Sequence, residues 1–152
     1  MEASYVFKKD AQLHAMLPHM HLRGSRISYE ARYSDGRREV LLSVPKYEAT
    51  WQTLYSLRQP KPMPAGTEIL VRGAFDNSSF NPANPDPSKI VGFAHQTWDE
   101  MFICYLLYSV PRTVKGVSRD LDRLHQADPS ERLRLEPPRT GLMSMNGRSM
   151  NR

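Results

Sequence analysis

The stretch RISYEARYS, residues 26–34, alternates strictly between apolar and polar positions, with Ile27, Tyr29, Ala31 and Tyr33 on one side and Arg26, Ser28, Glu30 and Arg32 on the other. A period of two is the mark of a strand with one buried face. Asp35-Gly36 follows as a tight turn, and REVLLSV leads back, so residues 26–44 are expected to form a hairpin. The same pattern predicts strands over 11–22, in TWQTLYSL (50–57), in TEILVRGAFDN (67–77) with Ile69, Val71 and Phe75 on one face, and in the apolar run WDEMFICYLLYSV. MPAG (63–66) separates two of these as a turn. NSSFNPANPDPSK (77–89) carries three prolines and three asparagines and is expected to be a long loop. Many short strands without a helical period predict an all-β fold, an antiparallel β-sandwich of jelly-roll type.

Composition divides the chain in two. All 14 aromatic residues lie at or before Tyr108. Residues 1–109 are close to neutral, with 12 Lys/Arg against 11 Asp/Glu, whereas residues 110–152 hold nine against five. The expectation is a folded domain over 1–109 and a basic tail over 110–152, with a short helix at 117–127 and a disordered remainder. A neutral folded part without interleaved aromatic and basic residues argues against nucleic-acid binding. No apolar run is long enough for a membrane span. No signal peptide is visible and the single cysteine, Cys104, excludes an internal disulfide. That points to the cytoplasm if Met1 is the true start, and to the periplasm or outside if the chain is cut from a longer exported protein. Cys104 itself reads as a buried small hydrophobe.

Five histidines are present, and two of them, His19 and His21, stand at i and i+2 in LPHMHLRG. On a strand they share a face with Cα atoms roughly 6.6 Å apart, close enough for two imidazoles to meet one ion. Ordinary hydrogen-bonded histidines fit the same spacing.

Taken with QTWDEMFICYLLY, the PHMHLRG segment resembles the C-terminal domain of the copper type II, ascorbate-dependent monooxygenases, the family of peptidylglycine alpha-hydroxylating and dopamine beta-monooxygenases. The resemblance covers residues 4–109, and FDNSSFNPANPDPSK looks like the family's bacterial relatives. It implies one copper ion per chain, held by His19, His21 and Met101, that activates dioxygen for C–H hydroxylation of a small molecule. Two imidazoles and a thioether are a soft set suited to Cu(I). Met16 is an alternative thioether; Met20 points to the other face. The resemblance further implies roles near the metal or substrate for Glu100, Tyr105 and His95. Core packing for Tyr105, a plain loop position for His95 and a solvated charge for Glu100 stand beside those roles. The peptide-hydroxylating members place an Arg where this chain has Leu17 and an Asn where it has Ile103, so a peptide C-terminus is not the expected substrate. Arg23 is expected to be a solvated surface residue. The three-histidine copper domain that supplies electrons in the family has no counterpart here. Turnover is therefore expected to need an electron-donor domain or protein; the alternative is a non-catalytic β-sandwich that binds copper or a protein partner.

Overall fold

The computed structural model describes residues 1–112 and 140–146, the latter as backbone. It is all-β, with two four-stranded antiparallel sheets packed face to face. The first sheet has the order β1 (Glu2–Val6), β6 (Glu68–Phe75), β3 (Gly24–Arg32), β4 (Arg38–Val44). The second has the order β5 (Tyr55–Met63), β2 (Ala11–Met20), β7 (Phe102–Ser109), β8 (Thr140–Asn146). The sandwich and the 26–44 hairpin agree with the alternation in the sequence. Gly36 and Gly66 adopt the left-handed region (φ 87° and 86°) in the two turns that the sequence marks.

Three elements differ from expectation. The strand expected over 50–57 begins later and runs through Pro60 and Pro62 to Met63. Proline donates no ladder hydrogen bond, and β5 tolerates two because it is an edge strand with β2 as its single neighbour. β1 pairs with β6 over five residues and was not anticipated. Within the segment expected to lack structure, Thr140–Asn146 form β8, pairing with Ile103–Ser109 and covering the edge of an apolar strand. The helix expected over 117–127 lies outside the described residues.

The core between the sheets is built from Phe7, Leu13, Met16, Met20, Ile27, Tyr29, Met63, Ile69, Val71, Phe102, Cys104 and Leu106. Burial pushes the Cys104 thiol up to about 12, which makes it inert as a nucleophile. The Tyr29 hydroxyl is buried against that thiol, a weak acceptor that leaves it without a conventional hydrogen bond. Between the sheets, Tyr5 and Tyr108 share a hydroxyl hydrogen bond of 2.9 Å, and Lys61 meets Glu39 at 2.6 Å.

One irregularity in β2 decides where the histidines point. Leu13 pairs with Tyr108 but Ala15 pairs with Leu107, so His14 is an extra residue, a bulge. Its ring is held by Ser109 Oγ at 2.8 Å. A one-residue insertion reverses which face each later side chain takes. Before it, Ala11 and Leu13 face the core; after it, Met16 and Met20 do. Without the bulge His19 and His21 would point between the sheets. With it, they lie on the outer face of the second sheet.

Candidate metal centre

His19 pairs with Ile103, and Leu17 with Tyr105, so the outer face around the histidines is continued by half-buried Leu17, Ile103 and Tyr105. Met101 lies two residues before Ile103, immediately ahead of β7, and is 8% exposed. The fold therefore brings together three residues separated by up to 82 positions: His19 Nε2 lies 3.3 Å from Met101 Sδ, and the rings of His19 and His21 are 5.2 Å apart and nearly perpendicular.

The hydrogen-bond network assigns the proton on each ring. Gln52 Nε2 donates to the Ala49 carbonyl at 3.0 Å, which turns Gln52 Oε1 toward His19 Nδ1 at 2.7 Å. An amide oxygen only accepts, so His19 Nδ1 carries the hydrogen, and in the neutral tautomer Nε2 is the bare nitrogen facing Met101. The Asp99 carbonyl lies 3.3 Å from His21 Nδ1 and sets the same tautomer there. In these tautomers both Nε2 atoms carry the lone pair, and each Nδ1–H has an acceptor behind it, the arrangement by which proteins orient metal-bound imidazoles. Burial above all, and then the neighbouring His19, holds His21 below its usual pKa, while the Asp99 and Gln96 backbones pull the other way. The neutral, ligating form is thereby favoured.

A bare imidazole nitrogen facing a thioether sulfur sets two lone pairs against each other with no hydrogen between them. A soft cation resolves that contact. Nitrogen and sulfur bonded to one tetrahedral ion at about 2.0 and 2.3 Å would stand about 3.5 Å apart, close to the observed 3.3 Å. The donor set therefore fits a soft ion such as Cu(I). Among the described residues no three His, Cys, Asp or Glu side chains come together to hold a metal, so such a site depends on the thioether.

The remaining candidates are placed as follows. Glu100 turns away from the histidines and accepts from Asn77 Nδ2 at 2.8 Å. The Asp99 carboxylate accepts from the Gln96 amide at 3.2 Å, so the acidic pair shapes the loop, and Asp99 serves His21 through its carbonyl. Tyr105 shares the histidine face, one pair along from Ile103. His95 is exposed, its ring edge-on to Phe93 at 6.0 Å. Met16 is fully buried in the core and out of reach of that face. Arg23 is not the solvated residue expected. The chain turns at Leu22–Arg23, and the guanidinium is 2% exposed, donating to Asn84 Oδ1 at 2.8 Å and to the Trp98 carbonyl. It thereby ties the Asn/Pro loop to the segment carrying Asp99 and Met101, helped by Leu22 N to the Thr97 carbonyl at 3.3 Å. Gln52 was not read from the sequence; nothing local marks a residue 33 positions away as the partner of His19.

One cavity, about 730 Å³, is lined by Glu2, Arg26, Arg72, Asn77 and Glu100 among others and excludes the histidines. A second, about 600 Å³, is lined by Leu22, Trp98 and Asp99 among others and likewise excludes the histidines. No protein-family model and no curated protein matches this sequence.

Proposed function

We propose that this chain is a copper-binding β-sandwich domain of the ascorbate-dependent monooxygenase type, with His19, His21 and Met101 holding one copper ion. The observation that carries the reading is the approach of a bare His19 Nε2 to Met101 Sδ at 3.3 Å, with Nδ1 tied to Gln52. A copper ion in such a set supplies dioxygen activation for C–H hydroxylation. The chain's own residues do the positioning. Gln52 and the Asp99 carbonyl fix the two rings. Met101 contributes the sulfur that favours the reduced ion. Leu17, Ile103 and Tyr105 continue the same face as half-buried, largely apolar surface next to His19. His14 is engaged by Ser109 and His95 stands apart on the loop, so on this reading electrons come from a partner domain or chain.

The test is a Cu(I) titration against a chromogenic competitor. Wild type should bind one equivalent, and the double variant His19→Ala/His21→Ala none. Stoichiometric, tight copper in the double variant would mean that the ligands are other residues.

A further inference from the structure

His19 and His21 are separated by Met20, and the two peptide units between them set how the histidine side chains point. The first unit carries the Met20 N–H and the second the Met20 carbonyl, and each is planar. Both groups end on one side chain. The Tyr47 hydroxyl accepts from Met20 N at 2.9 Å and donates to Met20 O at 3.1 Å. A strand is not there to do so: β2 pairs with β5 only as far as Met16, and from Leu17 to Met20 its neighbour among the described strands is β7 alone.

The Tyr47 side chain is held on every side. It is 5% exposed and belongs to the core between the sheets. Tyr47 N donates to the Ser25 carbonyl at 2.8 Å, which fixes its backbone to β3 on the opposite sheet. Gly24 leaves room for the ring: a Cβ there would stand 2.9 Å from Tyr47 Cδ1 and 2.8 Å from Met20 Cβ. The connection from β4 to β5, residues 45–54, also supplies Gln52 to His19 Nδ1. It thus grips the histidine strand twice, at the His19 ring from the exposed side and at the Met20 backbone from the core.

We infer that Tyr47 is a positioning residue: by fixing both peptide planes between His19 and His21, it aligns the two imidazoles on one ion. A second donor adds its full share of affinity only when it is already aligned, because ordering it on binding offsets part of the gain. The inference rests on the copper reading for the ion that the histidines share, and not for the contact between Tyr47 and Met20.

Tyr47→Phe keeps the ring and removes the hydroxyl. In the competitor titration it should lower Cu(I) affinity about tenfold, the scale of losing a group that orients a metal ligand. In a His21→Ala background no second imidazole remains to be aligned, and Tyr47→Phe should change the residual affinity by less than about twofold. Ile69→Val, a core change on β6 opposite Tyr5 and Ala31, lowers stability without touching the Met20 contact and should leave copper affinity as in wild type. In the metal-free protein the Met20 amide should exchange slowly with solvent in wild type, and about tenfold faster in Tyr47→Phe, a larger change than at the amides of β6. Wild-type affinity in Tyr47→Phe, an equal loss in the His21→Ala background, an equal loss in Ile69→Val, or fast Met20 exchange in wild type would each overturn the inference while leaving the copper reading standing. If wild type itself takes up no copper, the copper reading falls and the alignment role with it; slow Met20 exchange that depends on the hydroxyl would then mark a contact of the fold alone.

Discussion

Gly73→Ala should destabilise the sandwich although it adds one methyl group. Gly73 lies on β6 opposite Ile27, facing the second sheet. A Cβ there would stand 2.5 Å from Phe102 Cε2, 3.0 Å from Cδ2 and 3.2 Å from Met20 Sδ. Carbon atoms pack best at about 3.5–4.0 Å, so the ring must retreat by about 1 Å. Phe102 is 1% exposed and Met20 is fully buried, and a close-packed interior leaves the ring nowhere to go. Overpacking of this kind costs about 1–3 kcal/mol. Alanine returns about 0.5–1 kcal/mol through the reduced backbone entropy of the unfolded chain. The net loss should be about 1–2 kcal/mol, read in urea unfolding by far-UV circular dichroism, and about 4 °C in melting temperature per kcal/mol for a domain of this size. Phe102→Leu in the same chain should recover about 1 kcal/mol by double-mutant cycle, since the two positions share one contact. Phe102 follows Met101, so the displaced ring should also weaken Cu(I) binding. Wild-type stability in Gly73→Ala, or strict additivity in the cycle, would refute the claimed contact between the sheets.

Gln52→Leu should lower Cu(I) affinity about 10–100-fold while the melting temperature holds, because the exposed Gln52 orients the His19 ring without entering the core; unchanged affinity in the competitor titration would make Gln52 incidental. Tyr29→Phe should leave stability equal or raise it by about 1 kcal/mol, because the buried hydroxyl lacks a conventional partner; a clear loss in urea unfolding would mean that the Cys104 thiol bonds it well. Removing residues 140–152 should lower the melting temperature and promote self-association on size-exclusion chromatography, because β7 loses its ladder over Ile103–Ser109; an unchanged monomer would show that β8 contributes little.

Much of the sandwich is legible in the sequence because its central strands bury one face. Ile27, Tyr29 and Ala31 alternate as the pattern requires, and all three are core residues. The edges are less legible. β5 runs through two prolines that a reader takes as breakers, since the exemption for edge strands depends on neighbours that the local sequence does not reveal. β8 comes from a stretch without aromatics and owes its existence to the open ladder of β7. The spacing of His19 and His21 gives a shared face, but which face depends on the bulge at His14, and no glycine or turn residue signals it. Met101 enters the candidate site through resemblance to a family and through the β2–β7 register, not through any local pattern. Arg23 departs from the expected surface position for the reverse reason. Strand alternation would place it beside the histidines, whereas the turn at Leu22–Arg23 carries it under the Asn/Pro loop.

The most direct test of the central claim is X-ray absorption on the protein loaded with one equivalent of Cu(I). Wild type should show nitrogen scatterers and one sulfur at about 2.3 Å. Met101→Leu, a nearly volume-conserving change that typically costs less than about 1.5 kcal/mol of stability, should keep the fold and the nitrogen shell and lose the sulfur. A wild-type spectrum without sulfur would reduce Met101 to packing, and the case for an oxygen-activating copper would fall with it.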